Sequence, residues 1–302
     1  MSEELNALLP GNDPVTCDCT PAKTIYGANR YTDFIDEDPT DYRTRVYPSE
    51  FENDQTISYF SFPYCQEIGE KGFKNSTIEE IVIPRCRVIG EQAFNQSTIS
   101  RGDFQSVTDI GANAFHNCGW EWGSSLYFPN IENIGNDAFG YGAHGPTNVT
   151  IDIRNVKTIG DSAFYQSRFI FYDNKFILPY CTHIGNHAFN TYYENGHTVT
   201  EISLPSIITI GDSGMRDVHL TSGGGDITIG PNCTSIGTYC FTGTFASHNL
   251  IIEATTPPTL GGVLNVDGYT PQHIYVPAAS VSAYQSATNW SRYASIISAF
   301  PT

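Results

Sequence analysis

Short stretches of alternating polar and apolar residues run through this chain, and most of them lead into the same apolar pattern, Ile-Gly-x-x-small-Phe. The pattern begins at Ile68, Ile89, Ile110, Ile134, Ile159, Ile184, Ile210 and Ile236, with glycine-to-glycine steps of 21, 21, 24, 25, 25, 26 and 26 residues. Recurrence at such a period marks stacked coils, each unable to bury its apolar face alone. Most copies follow a β-rich stretch closed by proline: Ile57 to Pro63, Ile78 to Pro84, Leu126 to Pro129, Phe176 to Pro179, Val199 to Pro205 and Ile227 to Pro231. Alternation predicts one short half-buried strand per unit, and proline, lacking an N–H, ends it. The units around Phe104 and Ile151-Asp152-Ile153 lack that proline.

Within the motif, glycine permits a positive φ or a corner too tight for a side chain. The residue after it is often a helix-capping type (Asn136, Asp161, Asn186, Asp212, Thr238), which predicts one short helical turn per repeat. The small residue lets that turn pack closely. Phe73, Phe94, Phe115, Phe139, Phe164, Phe189 and Phe241 are expected to stack as a buried ladder, with Met215 filling the remaining rung. The expected architecture is an α/β repeat solenoid of eight repeats over residues 55–249. Each repeat carries one parallel strand and one helical turn in a right-handed coil. Residues 1–54 show no repeat and read as an N-terminal cap or attachment segment, and residues 250–302 as a C-terminal cap.

The order strand, Pro, x, x, Val, x, x, Ile-Gly-x-x-Ala-Phe resembles the BspA-like, Treponema-type leucine-rich repeats over residues 57–245. Thr256-Pro257-Pro258-Thr259-Leu260, Ile274-Tyr275-Val276-Pro277-Ala278, Ser280-Val281, Ala283-Tyr284, Asn289-Trp290-Ser291 and Tyr293-Ala294 look like the segment that commonly ends such arrays. They predict a last strand and then an amphipathic helix around Val281 to Ala287, after the capping candidate Ser280. The resemblance implies a leucine-rich-repeat solenoid and cell-surface adhesion. Gly72 and Gly214 replace the motif alanine and Met215 the phenylalanine, and the last five repeats are longer than the first three.

Charge narrows the partners. The 302 residues carry a formal net charge of −17, which opposes nucleic acid and anionic membranes. No apolar run is long enough to cross a bilayer. Met1-Ser2-Glu3-Glu4 lacks the basic and apolar start of a secretory leader. The expectation is therefore a bacterial cell-surface or secreted protein whose leader was removed, or otherwise a virion surface protein. Of eight cysteines, Cys65, Cys86, Cys181 and Cys233 take the position held elsewhere by Val107, Ile131, Val156 and Ile207, which predicts buried free thiols. Cys240 replaces a motif small residue, and Cys118 lies three after Phe115. Cys17 and Cys19 alone have metal or redox spacing, and two ligands do not close a zinc site.

Chemistry is sparse. His183 and His187 lie four apart, but their counterparts are solvent-type residues, so surface histidines are expected, not a metal site. No nucleophile elbow, phosphate loop or His-Glu-x-x-His occurs, so no catalytic residue, cofactor or metal is assigned. The residues inserted between one motif and the next strand are free to vary, and they are aromatic: Trp120, Trp122, Tyr141, Phe171, Tyr172, Tyr192 and Tyr193 are the candidate ligand-binding residues. They form either a ridge for a glycan or protein receptor or local satellite cores. The first function expected is non-enzymatic adhesion to a host or cell-surface protein or glycan. The second is a structural or receptor-binding component of a bacteriophage virion, attached to other virion proteins through the N-terminal segment.

Overall fold

The computed structural model describes residues 32–35, 44–120, 125–142, 148–167, 170–191, 197–221, 223–244, 248–265 and 270–301. Cys17 and Cys19 lie outside them. Each coil contributes at least two strands, not the single one expected, and every ladder between coils is parallel; His197–Val199 and Val218–Leu220 add a separate two-stranded sheet.

The longer strands precede the prolines or stand at the equivalent place in units that lack one. Thr32–Ile35, Ile57–Ser61, Thr77–Val82, Thr98–Asp103, Ser125–Phe128, Asn148–Ile151 and Ile170–Phe171 follow one another in one sheet, with Gly119–Trp120 branching from Thr98–Asp103. A second sheet continues the array through Phe176–Ile177, Ile202–Leu204, Ile227–Ile229, Leu250–Ile252, Ile274–Val276 and Ile297–Ala299.

The second strand of each coil is the motif isoleucine and the residue before it. Ten such two-residue strands form one uninterrupted sheet from Arg45–Val46 to Thr259–Leu260. The stack thus has a rung beyond the eight motif copies at each end. Val46 and Leu260 take the isoleucine position, with Tyr47 and Gly261 in the glycine position. Sequence matching missed the first rung because Tyr47 breaks the Ile-Gly pair. This short face is held by the glycines: Gly90, Gly111, Gly135, Gly160, Gly185, Gly211 and Gly237 each donate an N–H to the preceding coil's isoleucine carbonyl at 2.7–2.9 Å.

The residues after glycine are not helical. Lys71, Gln92, Asn113, Asp137, Ser162, His187, Ser213 and Tyr239 are left-handed, with φ between 51° and 59°. A second left-handed residue follows four later in most coils, as at Asn75, Gln96, Asn117 and Tyr141. Such φ values cost about 1–2 kcal/mol for a residue with a side chain. They offset that cost by turning alternate N–H groups along the stack: Lys71, Phe73 and Asn75 donate to Glu91, Ala93 and Asn95 of the next coil at 2.8–2.9 Å. The expected helical turn is therefore a third column of bonds between coils. Every motif glycine avoids positive φ, so the conformational demand falls on its neighbours and the glycine answers a steric one.

Inside, the aromatic ladder stands as expected. Phe51, Phe73, Phe94, Phe115, Phe139, Phe164 and Phe189 stack with ring centroids 5.0–5.3 Å apart and planes within 13° of parallel. Phe60, Phe128 and Phe176, from the long strands, and Phe104, directly after one, meet this ladder edge-on. Met215 and Phe241 are likewise buried. Burial of each ring is worth about 1.5–3 kcal/mol.

At the far end, the helix Val281–Ser286 forms where the apolar pattern places it. Ser280 does not cap it; its hydroxyl donates to Thr255 O at 2.7 Å. Carbonyls of the last coil that a further coil would have used are taken by side chains instead. Tyr284 Oη donates to Ala254 O, Trp290 Nε1 to Pro258 O and Asn289 Nδ2 to Leu260 O, at 2.7–2.8 Å. Polar closure of this kind lets a stack end without an open sheet edge.

Candidate functional site

On the short face the inward residue of every rung is Val, Ile or Leu, because the core admits nothing else. The outward residue is Arg45, Glu67, Val88, Asp109, Asn133, Thr158, His183, Thr209, Ser235 and Thr259 in turn. One regular scaffold therefore displays a chemically varied row.

Beside that row runs a second, made by the residues that sequence reasoning assigned to helix capping. Asn136 Oδ1 accepts from Asp161 N, Asp161 Oδ1 from Asn186 N, Asn186 Oδ1 from Asp212 N and Asp212 Oδ1 from Thr238 N, at 2.6–2.9 Å. Each side chain thus caps the next coil. Asn and Asp alternate, so carboxylates stand two rungs apart and their repulsion is reduced. Between the two rows lies a shallow groove of about 350 Å³, floored by Gly160, Gly185 and Gly211 and walled by Asn136, Asp161 and Asn186 against His183, Thr209 and Ser235.

The aromatic candidates are placed unequally. Trp122, Tyr192 and Tyr193 lie outside the described residues. For Trp120, Phe171 and Tyr172 the backbone alone is described: Trp120 ends the strand Gly119–Trp120, Phe171 ends Ile170–Phe171, and Tyr172 begins a 3-10 turn, Tyr172–Asn174. Tyr141 sits on the turn column, 38% exposed, between the rings of His116 and Tyr165 at 5.3 and 5.4 Å. The Tyr141 ring packs on its neighbours and still presents a face to solvent. Tyr165, one rung on, completes this aromatic pair; it follows a motif phenylalanine directly, which kept it out of the set of inserted residues. Tyr180, in the turn after Pro179, is the most exposed of the large hydrophobic side chains described, at 61%.

The titratable groups offer little for catalysis. Cys65, Cys86, Cys118, Cys181, Cys233 and Cys240 are buried free thiols. Cys65, Cys86, Cys181 and Cys233 direct their sulfurs to the carbonyl two residues on. Burial pushes Cys181 up to about 12 and Cys233 to about 11. Burial also raises Cys118 and Cys240, while Cys86 is raised first by its hydrogen bond with Cys65 and then by burial. A thiol held protonated at neutral pH is a poor nucleophile. Burial likewise raises the Asp137 carboxyl, with His116 acting in the opposite sense. His183 and His187 are exposed, and among the described residues no three metal-ligating side chains cluster. No helix among them is long and apolar enough to cross a membrane.

With this geometry in view, the family model described as BspA type Leucine rich repeat region matches residues 44–170 and 170–257, in six copies. Among solved structures the chain is similar to a leucine rich cell surface protein from Faecalibacterium prausnitzii A2-165. The identity is 16% over 94% of this chain and 87% of that one, with a TM-score of 0.40, a likeness too loose to carry an argument. No curated protein matches.

Proposed function

The chain belongs to the BspA-type leucine rich repeat family, and on that premise we propose that it is a non-enzymatic binding protein, an adhesin presenting a repeat-built surface to a protein or glycan receptor. The observation that carries the reading is the contrast along the short face. Ten inward positions are confined to Val, Ile and Leu, while the ten outward ones range over acid, base, amide, hydroxyl, imidazole and, at Val88, an exposed aliphatic. A scaffold whose interior is fixed and whose surface is free is suited to recognition. A place on the cell surface or outside the cell belongs to the same proposal. A virion role draws no support from any described residue.

The aromatic inserts remain the proposed contact set, with Tyr165 joined to them. A glycan and host-surface binding screen of the wild type beside the W120A/W122A/Y192A/Y193A variant tests the reading. Binding by the wild type and its loss in the variant is the expected result. Equal binding by both would remove the aromatic ridge, and no binding by the wild type to any surface would remove the adhesin.

A further inference from the structure

Among the described residues the long strands that precede the motif divide between two sheets. The first sheet ends on Ile170–Phe171, which pairs with Asn148–Ile151, and the second begins on Phe176–Ile177, which pairs with Ile202–Leu204. Among the described residues no ladder joins Asn148–Ile151 to Phe176–Ile177, so the coils part where elsewhere they zip together. The chain crosses the gap through Asp173 and Asn174, two consecutive left-handed residues at φ 56° and 51°.

At this break lies a cleft of about 170 Å³ lined by Asp152, Ile153, Arg154, Asp173, Lys175 and Ile177. Asp152 is only 3% exposed. A carboxylate that deep needs a partner, and the Arg154 guanidinium supplies one: Nε donates to Oδ1 at 2.9 Å and Nη2 to Oδ2 at 2.5 Å. On the other wall Lys175 pairs with Glu201 at 3.2 Å, and Asp173 is exposed.

We propose that this cleft is a binding site for one neutral pyranose unit of a glycan. Its volume lies well below the roughly 300–1,000 Å³ of pockets that take drug-sized molecules, so the occupant is of single-ring size. Both cations already face a carboxylate, and the walls, with Glu201, hold three acids against two bases. That balance opposes an anion, while Arg154 and Lys175 oppose a metal ion. A hydroxyl, which both donates and accepts, suits such alternating walls: it donates to Asp173 and accepts from Lys175. Ile177, half-buried, offers apolar contact to the C–H face of a ring. The inference deepens the adhesin reading and rests on it for its biological role, and it invokes none of the four aromatics mutated above.

The test is saturation-transfer NMR and calorimetry with the methyl glycosides of D-glucose, D-galactose, D-mannose and N-acetyl-D-glucosamine, and with N-acetylneuraminic acid as the charged probe. The wild type should bind at least one neutral glycoside and prefer it to the charged probe. D173A and K175Q should each weaken that binding about tenfold, K175Q with an unchanged melting temperature, because each removes a charged hydrogen-bond partner. The W120A/W122A/Y192A/Y193A variant should retain it, so that this site and the aromatic ridge fail separately. No neutral glycoside bound by the wild type, a preference for the charged probe, or unchanged affinity in both D173A and K175Q would overturn the proposal.

Discussion

Substituting Gly185 by alanine asks why the motif glycine is there. The added Cβ would lie 2.4 Å from Asp161 N, 2.5 Å from Gly160 C and 2.6 Å from Asp161 Oδ1, all on the preceding coil. Unstrained contacts of this kind lie near 3.5–4 Å, so the coils must part by roughly 1 Å or the rung must tilt. Overpacking against a backbone that cannot rotate away costs about 1–3 kcal/mol. The same displacement strains the 2.7 Å bond from Asn186 N to the Asp161 carboxylate, worth about 1.5–3 kcal/mol for a charged acceptor. The expected loss for G185A is therefore about 3–5 kcal/mol in urea unfolding followed by circular dichroism. Gly225 is the control: it has open space around its Cβ position and no positive φ. There, alanine should be neutral or stabilise by about 0.4–1 kcal/mol, by restricting the unfolded chain. A G185A loss under about 1 kcal/mol, or one no larger than that of G225A, would refute the close-approach argument.

Phe164, stacked between Phe139 and Phe189, should cost about 3–5 kcal/mol on truncation to alanine, read by the same unfolding measurement. The buried thiols predict alkaline lability. Their folded pKa values lie above the unfolded one, so stability is intact below about pH 8.5 and is lost as pH rises toward the folded values, by about 1.4 kcal/mol per pH unit per thiol. C181V, with the valine found in this row at Val107 and Val156, should remove one thiol's share of the slope between pH 9 and about 12, measured under a phosphine reductant; identical slopes would count against it. N186D places carboxylates on three consecutive rungs and should cost about 1 kcal/mol per new neighbour at neutral pH, a deficit that shrinks in high salt and at acid pH. W290F, by leaving Pro258 O without its 2.7 Å donor at the closing end, should cost about 1–3 kcal/mol in the same assay.

The core rows were legible because burial is unforgiving. The Ile row, the Cys/Val row and the Phe ladder each accept only a few side chains, so their period shows through the sequence. What failed to show was backbone conformation. Asn136, Asp161, Asn186 and Asp212 suit a helix cap because their oxygens accept from an N–H, and nothing local says that the N–H belongs to the next coil. Lys71, Gln92 and Tyr239 give no composition cue for φ above zero, since the bonds between coils impose it. The short strands, two residues each, are too brief to alternate visibly. The first rung escaped because Val46-Tyr47 lacks the glycine, although Phe51 supplies its ring to the ladder.

The cleft between Asp152 and Ile177 shows why a proposed binding site is harder to read from a sequence than the fold. In a stack that pairs continuously, each outward strand residue lies one rung from the next, as Ser61 does from Val82 and Val82 from Asp103, and no space opens between them. A cavity requires that pairing stop. It stops where the residues between Phe164 and Phe176 enter the first sheet at Ile170–Phe171 and leave it through Asp173 and Asn174. The sequence shows that inserted length but not which ladder it joins, because two strands compete for one edge and the choice depends on both neighbouring coils. The departures from the motif, at Gly72, Gly214 and Met215, stay in the buried rows and shape no site. In this chain recognition is therefore to be sought where the length of a repeat changes, and substitutions within the motif are to be read as packing.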